Sequence, residues 1–247
     1  TIYMKNRAVL IFPDELEVLE IDGGLGNDEF YVHATAAHPT LRLFGGAGSD
    51  RFDVGGDAPS VIVDGVAQPP RVGPHELSGI DGVLEIRGSA SACSPADAAE
   101  SVDVVTVFDD GSVVGHTGTL AAALLSGFGL SPAGIGYAEF EALEILLGQG
   151  SDDLTVTDTA DGMITAIHGG GGSDSVPVLG RGGVHGRGLD APVVVFGDTS
   201  QDGSRYAGAQ GTVAPGLAWS FASAGDDVLD ASASADAVFL YGGAGAD

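Results

Sequence analysis

Little in this sequence can carry a disulfide, a nucleic acid or a membrane. Cys93 is the single cysteine in 247 residues, which excludes an internal disulfide and a thiolate zinc cluster. Nine basic residues, with Lys5 the one lysine, stand against 35 acidic ones and leave a formal charge of −26. Such a chain repels nucleic acid and anionic membrane surfaces, so neither is expected as a direct partner. No stretch approaches the roughly 18 consecutive apolar residues of a membrane span, and direct membrane insertion is not expected. Aromatic residues make up 6% of the chain, too few for one large compact core, while 44% apolar residues argue against disorder. The first residues lack the basic, apolar and small-residue succession of a signal peptide, and Thr1 reads as a cut made inside a longer chain.

Glycine is abundant, with 41 residues, and its placement is patterned. Gly23-Gly24-Leu25-Gly26-Asn27-Asp28-Glu29-Phe30-Tyr31 and Gly45-Gly46-Ala47-Gly48-Ser49-Asp50-Arg51-Phe52-Asp53 both fit G-G-x-G-x-D-x-U-x, where U is a large apolar residue. The glycines allow a tight turn, the Asp faces out of it, and the apolar residue two places later points inward from a short strand. The phrase returns at Gly169-Gly170-Gly171-Gly172-Ser173-Asp174-Ser175-Val176-Pro177, and in relaxed form at Leu147-Gly148-Gln149-Gly150-Ser151-Asp152-Asp153-Leu154-Thr155. Asp28 and Asp50 are 22 positions apart, as are Asp152 and Asp174. That interval is expected to be one coil of a parallel stack. Carboxylates on neighbouring coils, about 5 Å apart, repel by roughly 3 kcal/mol at an effective dielectric near 20. A column of such turns therefore needs positive charge between its rungs. A hard divalent cation with oxygen ligands meets that need, and calcium tolerates irregular sets of carbonyls and carboxylates better than magnesium does.

The chain also repeats on a longer scale. Glu17-x-Leu19-Glu20-Ile21-x-x-Gly24-x-Gly26-x-Asp28 is matched at an offset of 124 by Glu141-x-Leu143-Glu144-Ile145-x-x-Gly148-x-Gly150-x-Asp152, and Asp103 and Asp227 share the offset. Residues 1–137 and 138–247 are expected to be two copies of one unit, continuous as a single elongated domain. Alternation predicts strands over Glu17–Ile21, Leu41–Phe44, Val61–Val63, Val83–Ile86, Val102–Phe108, Val193–Phe196 and Val238–Tyr241. Thr119–Leu125 reads equally as a helical turn or a strand. Residues 68–74 and 89–100 read as loops outside the coils. Asp198-Thr199-Ser200-Gln201-Asp202-Gly203 has the opening of a calcium loop, with Asp198 and Asp202 as ligands, but Ala209 stands where a bidentate Glu would close it. The closing Gly242-Gly243-Ala244-Gly245-Ala246-Asp247 followed by Thr1-Ile2-Tyr3 would spell a complete phrase, as if units joined end to end.

These turns resemble the hemolysin-type, or repeats-in-toxin, calcium-binding nonapeptide family, whose chain forms a parallel β-roll with calcium between successive turns. The resemblance covers about a quarter of the chain. It implies an all-β fold, secretion to the outside of a bacterial cell, and side-chain ligands at Asp28, Asp50, Asp152, Asp174 and Asp247. Asp227 belongs to a degenerate copy of the phrase. Carbonyls of the adjoining turns, at Gly24, Gly26, Gly46, Gly48, Gly148, Gly150, Gly170, Gly172, Gly243 and Gly245, complete the implied ligand set. The family's roll advances by roughly 18 residues per coil. The longer step of 22 here favours a wider, less regular parallel β-helix, with the calcium turns along one edge. The expected function is non-catalytic: a calcium-binding structural segment of a filament, surface layer or adhesin stalk, whose partners are calcium and copies of itself or the rest of a longer chain. Two alternatives are a polysaccharide lyase or epimerase built on the β-helix, with Arg42 or His33 in its site, and a glycan-binding module acting through the loops.

Overall fold

The computed structural model describes residues 2–4, 7–9, 16–63, 66–70, 72–73, 75–89, 101–180, 191–198, 224–234 and 237–247. Cys93, Asp202 and most of the 89–100 loop lie outside the described residues. The strands are β1 (Ile2–Met4), β2 (Arg7–Val9), β3 (Val18–Asp22), β4 (Glu29–Val32), β5 (Thr40–Gly46), β6 (Arg51–Val54), β7 (Val61–Val63), β8 (Val66–Gln68), β9 (Leu84–Ser89) and β10 (Val104–Phe108). They continue as β11 (Thr117–Ala121), β12 (Leu124–Gly127), β13 (Ile135–Ala138), β14 (Ala142–Leu146), β15 (Asp153–Val156), β16 (Ile164–His168), β17 (Ser175–Pro177), β18 (Val193–Phe196), β19 (Val228–Asp230) and β20 (Val238–Tyr241). The fold is all-β. One turn of 3-10 helix, Leu77–Gly79, is the single helical element among the described residues.

The chain divides into two compact units that are interleaved in sequence. The first comprises residues 1–108 and 129–143, the second 109–128 and 144–247. In the first unit β3, β5, β9 and β13 form a parallel sheet, and β4, β6 and β10 form another. Successive strands alternate between the two, so each Gly-Asp turn carries the chain from one sheet to the other. Alternate residues of each strand point inward. Leu41, Leu43, Leu84, Ile86 and Ile135 from one sheet, and Phe30, Phe52, Val54, Val105 and Val107 from the other, are almost wholly buried. Like stacks on like because the sheets are parallel and in register: Phe30 pairs with Phe52 and Val32 with Val54. The Phe30 and Phe52 rings stack at 4.6 Å with their planes 6° apart, worth about 1 kcal/mol beyond the area they bury.

The second unit repeats the scheme. β14, β16, β18 and β20 lie in one sheet, and β19, β17, β15, β11 and β12 in the other. Ile145, Leu154, Val156, Ile167, Val176 and Val195 fill its interior. Thr117–Ala121 and Leu124–Gly127 settle the ambiguous stretch as an antiparallel hairpin, with Leu120 opposite Leu125 and both buried. A helix would have placed those two leucines on different faces, whereas the hairpin buries them together.

One expectation is corrected, that residues 1–12 begin as a strand left over from a preceding coil. Ile2-Tyr3-Met4 is a strand, but it runs antiparallel to β4, with Tyr3 opposite Tyr31, and folds back onto β2. A strand belonging to a preceding coil would run parallel to β4. Within the stretch expected to loop out, Pro69, Pro70 and Val72 are exposed, and Gly73 is buried and donates its N–H to Asp57 Oδ1 at 2.8 Å.

Candidate metal centre

The Gly-Asp turns stack in register, and their aspartates form one hydrogen-bonded column in each unit. In the first unit the Asp28 N–H donates to Asp50 Oδ1 at 2.7 Å and the Asp50 N–H to Asp103 Oδ1 at 2.8 Å. The Asp103 N–H then donates to Glu141 Oε2 at 2.6 Å. In the second unit the Asp152 N–H donates to Asp174 Oδ1 at 2.8 Å, Asp174 to Asp227 at 2.9 Å, and Asp227 to Asp247 at 3.1 Å. Every link has the same sense: a backbone donor of one rung, a carboxylate of the next. A parallel row links the preceding residues, where Ser49 N donates to Asn27 Oδ1, Ser173 N to Ser151 Oγ and Asp226 N to Ser173 Oγ, each at 3.0 Å.

The aspartates do not face out of the turn as expected: Asp50, Asp152 and Asp174 are at most 2% exposed, and the second carboxylate oxygens of Asp50 and Asp174 point inward over glycines. A methyl group added at Gly45 would lie 2.3 Å from Asp50 Oδ2 and 2.3 Å from the Gly88 carbonyl oxygen. One added at Gly169 would lie 2.0 Å from the Gly197 carbonyl and 2.6 Å from Asp174 Oδ2. Glycine at these positions leaves a cradle lined by carbonyl and carboxylate oxygens. Asp50, Asp174 and Asp227 are at most 4% exposed, and the Oδ2 atom of each is buried with no hydrogen-bond donor. A buried anionic oxygen without a donor is strongly disfavoured until a proton or a cation neutralises it.

The acidities follow. Burial raises the Asp50 carboxyl above its ordinary range, and it pushes Asp103, Asp152 and Asp227 up to about 6 and Asp174 to about 8. Hydrogen bonds from neighbouring N–H groups oppose the shift, and the negative charges of adjacent rungs reinforce it at Asp50, Asp103, Asp174 and Asp227.

The glycines divide by role. Gly24, Gly26, Gly46, Gly48, Gly170, Gly172, Gly243 and Gly245 have positive φ, between +94° and +154°. Gly148 and Gly150 do not share this conformation. They pack against the segment 109–116, where a methyl group at Gly150 would sit 2.0 Å from Gly115 N and one at Gly148 2.5 Å from Ser112 O. That segment heads the second column: the His116 N–H donates to Asp152 Oδ1 at 2.6 Å, and its imidazole Nδ1 lies 2.9 Å from Asp109 Oδ2.

Four contributors were not singled out as ligands from the sequence. Asp103 follows no glycine phrase, and its one signal was the 124-residue offset to Asp227. Glu141 supplies a carboxylate rung from a strand entrance. Asp109 and His116 take the place of a rung with a motif of their own. Asp198 is 3% exposed, and its Oδ2 accepts the Ala244 N–H at 2.5 Å, so it belongs to the turn column.

The donor set is all oxygen, carboxylate and carbonyl, as a hard cation requires. Among the described residues no three Asp, Glu, His or Cys side chains already surround one point. The column instead offers one carboxylate per rung, with carbonyls between, and this chemistry fits calcium. The chain matches no family model, no curated protein and no solved structure.

Proposed function

We propose that the chain is a calcium-stabilised structural segment that works outside the cell and has no catalytic role. In this reading the alternating sheets are the walls of a parallel β-solenoid, and its rungs are Asp28, Asp50 and Asp103 in one unit and Asp152, Asp174, Asp227 and Asp247 in the other. The bound ion supplies positive charge between rungs. Carboxylates and glycine carbonyls hold it, and the stacked strands keep those oxygens in place. The observation that carries the reading is the buried, donorless Oδ2 of Asp50, Asp174 and Asp227, set over glycine carbonyls in a chain of charge −26.

The partners implied are calcium and further coils of the same kind, from copies of the chain or from a longer one. In support, β20 is the outermost strand of its sheet and leaves Phe239 50% and Tyr241 40% exposed. The test is thermal unfolding followed by circular dichroism in calcium, in magnesium and in EDTA. A single site at a hundredfold excess of ion over its dissociation constant adds about 2.7 kcal/mol, and several sites add together. The midpoint is therefore expected to rise in calcium, to rise less in magnesium and to fall on chelation. Identical melting in all three would remove the reading.

A further inference from the structure

One strand at the edge of the first unit runs against the rest of its sheet. β4, β6 and β10 are parallel, and a further coil stacked on the free side of β4 would bring a strand of the same direction. That place is taken by β1, which lies antiparallel to β4 and is held on its other side by β2. In the other sheet β3 is the outermost strand, with Val18 41% exposed. At this face of the first unit one sheet is covered and the other is open.

The second unit carries a matching face. β19 and β20 are the outermost strands of its two sheets, and both run parallel to their neighbours β17 and β18. Val238 and Leu240 continue inward columns, since they pair with the buried Val193 and Val195, yet on this outermost strand Leu240 is 38% exposed. Two inward positions separated by one outward residue are also what β4 presents, in Phe30 and Val32. The other sheet matches more closely, with Val18-Leu19-Glu20 on β3 and Val228-Leu229-Asp230 on β19. Leu19 pairs with the buried Leu41 and Leu229 with the buried Val176, so both leucines point inward, and Val228 is 62% exposed. Stacking β19 on β3 would repeat the like-on-like register of the sheets. Asp230 would then face Glu20, whose carboxylate already has Arg42 Nη1 at 3.0 Å.

We propose that β1 and β2 are an internal plug on a self-association surface, and that the occupant they exclude is the β19–β20 face of a second copy of this chain. In the joined state β20 pairs parallel with β4, and β19 with β3. The inference rests on the reading of the sheets as walls of a solenoid that accepts further coils, and adds which strands meet and what keeps them apart. An unpaired edge strand is a template for another chain, and covering it with a segment of the same chain is one way to blunt it. Only molecules with β1 lifted off β4 are competent to join, so the apparent dissociation constant is the intrinsic one divided by the competent fraction. The contact is heterologous, and two copies joined this way still present one free face of each kind.

Sedimentation velocity over a range of protein concentrations tests this, in calcium and in EDTA. Tyr3 lies opposite both Tyr31 and Ala8, so Tyr3→Pro removes a backbone donor from a strand that is paired on both sides. This variant is expected to associate about tenfold or more tightly than the wild type, with the far-ultraviolet spectrum retained. Adding Leu240→Lys, an inward-pointing charge on the edge strand, is expected to abolish the gain. A second variant locks the plug: Tyr3→Cys with Tyr31→Cys, in a Cys93→Ser chain so that no third thiol competes, is expected to stay monomeric when oxidised and to associate when reduced. The proposal is overturned if a folded Tyr3→Pro chain associates no more than the wild type, or if its association survives Leu240→Lys. Should Tyr3→Pro not fold, oxidised and reduced double-cysteine chains that sediment alike overturn it, and β19 and β20 are left to a further coil of the same chain. Those outcomes leave the calcium response of melting untouched, whereas identical melting in calcium and EDTA removes the calcium reading and leaves the plug standing.

Discussion

Single residues in the turns carry opposite kinds of constraint. Gly45 is required by close approach, because both Asp50 Oδ2 and the Gly88 carbonyl occupy the space a methyl group would need. Gly26 is required by conformation: its φ is +103°, and nothing lies within 4 Å of the added atom. Gly45→Ala is therefore expected to cost about 1–3 kcal/mol or more through overpacking, and Gly26→Ala about 1–2 kcal/mol through left-handed strain. Urea unfolding of the two variants measures the difference, and it should be larger in calcium if the Gly45 cradle is also the ion's seat. At this scale the sequence was legible where a phrase repeats, so Asp28, Asp50, Asp152 and Asp174 all stand out. Asp103 does the same work as Asp50 but is preceded by Ser101-Val102 rather than by glycines, and its role depends on stacking that no local pattern encodes.

Among elements, the columns behave as titrating units. Asp174 has an ordinary value of 3.8 and is pushed up to about 8 in the folded chain by burial. A carboxyl whose pKa is raised by folding holds its proton more tightly when folded, so its contribution to stability is complete below pH 4 and is lost as the pH rises towards 8. In EDTA the protein is expected to become less stable over that range, and Asp174→Asn should flatten the profile. In calcium the loss at neutral pH should largely disappear, since cation replaces proton. Melting curves at pH 5 and pH 8, with and without calcium, read all of this. Strand positions were legible because inward and outward residues alternate, as in Leu41, Leu43 and their pairing partners Leu84 and Ile86. Strand direction was not. β1 has the composition of a coil strand, but composition is indifferent to whether the neighbour runs parallel or antiparallel, and that choice is made by the fold back into β2.

For the whole molecule, the resemblance of the repeated turns implied an all-β architecture, and composition announced the need for counter-charge. It did not announce how the two units share the chain. Residues 109–128 pass into the second unit before 129–143 return to the first, and no change in glycine content or charge marks either crossing. The 124-residue offset describes similarity along the sequence, whereas compactness depends on which segments meet. Direction along the columns has its own result. Removing the side chain at one rung takes away the acceptor for the rung before it but leaves its own backbone donor engaged with the rung after. In Asp50→Ala the amide of Asp28 is expected to exchange with deuterium faster, while the amide of residue 50, still held by Asp103, stays protected. Injury to the aspartate column is felt upstream of the lesion, so that column loosens from its wounds backward, towards the beginning of the chain.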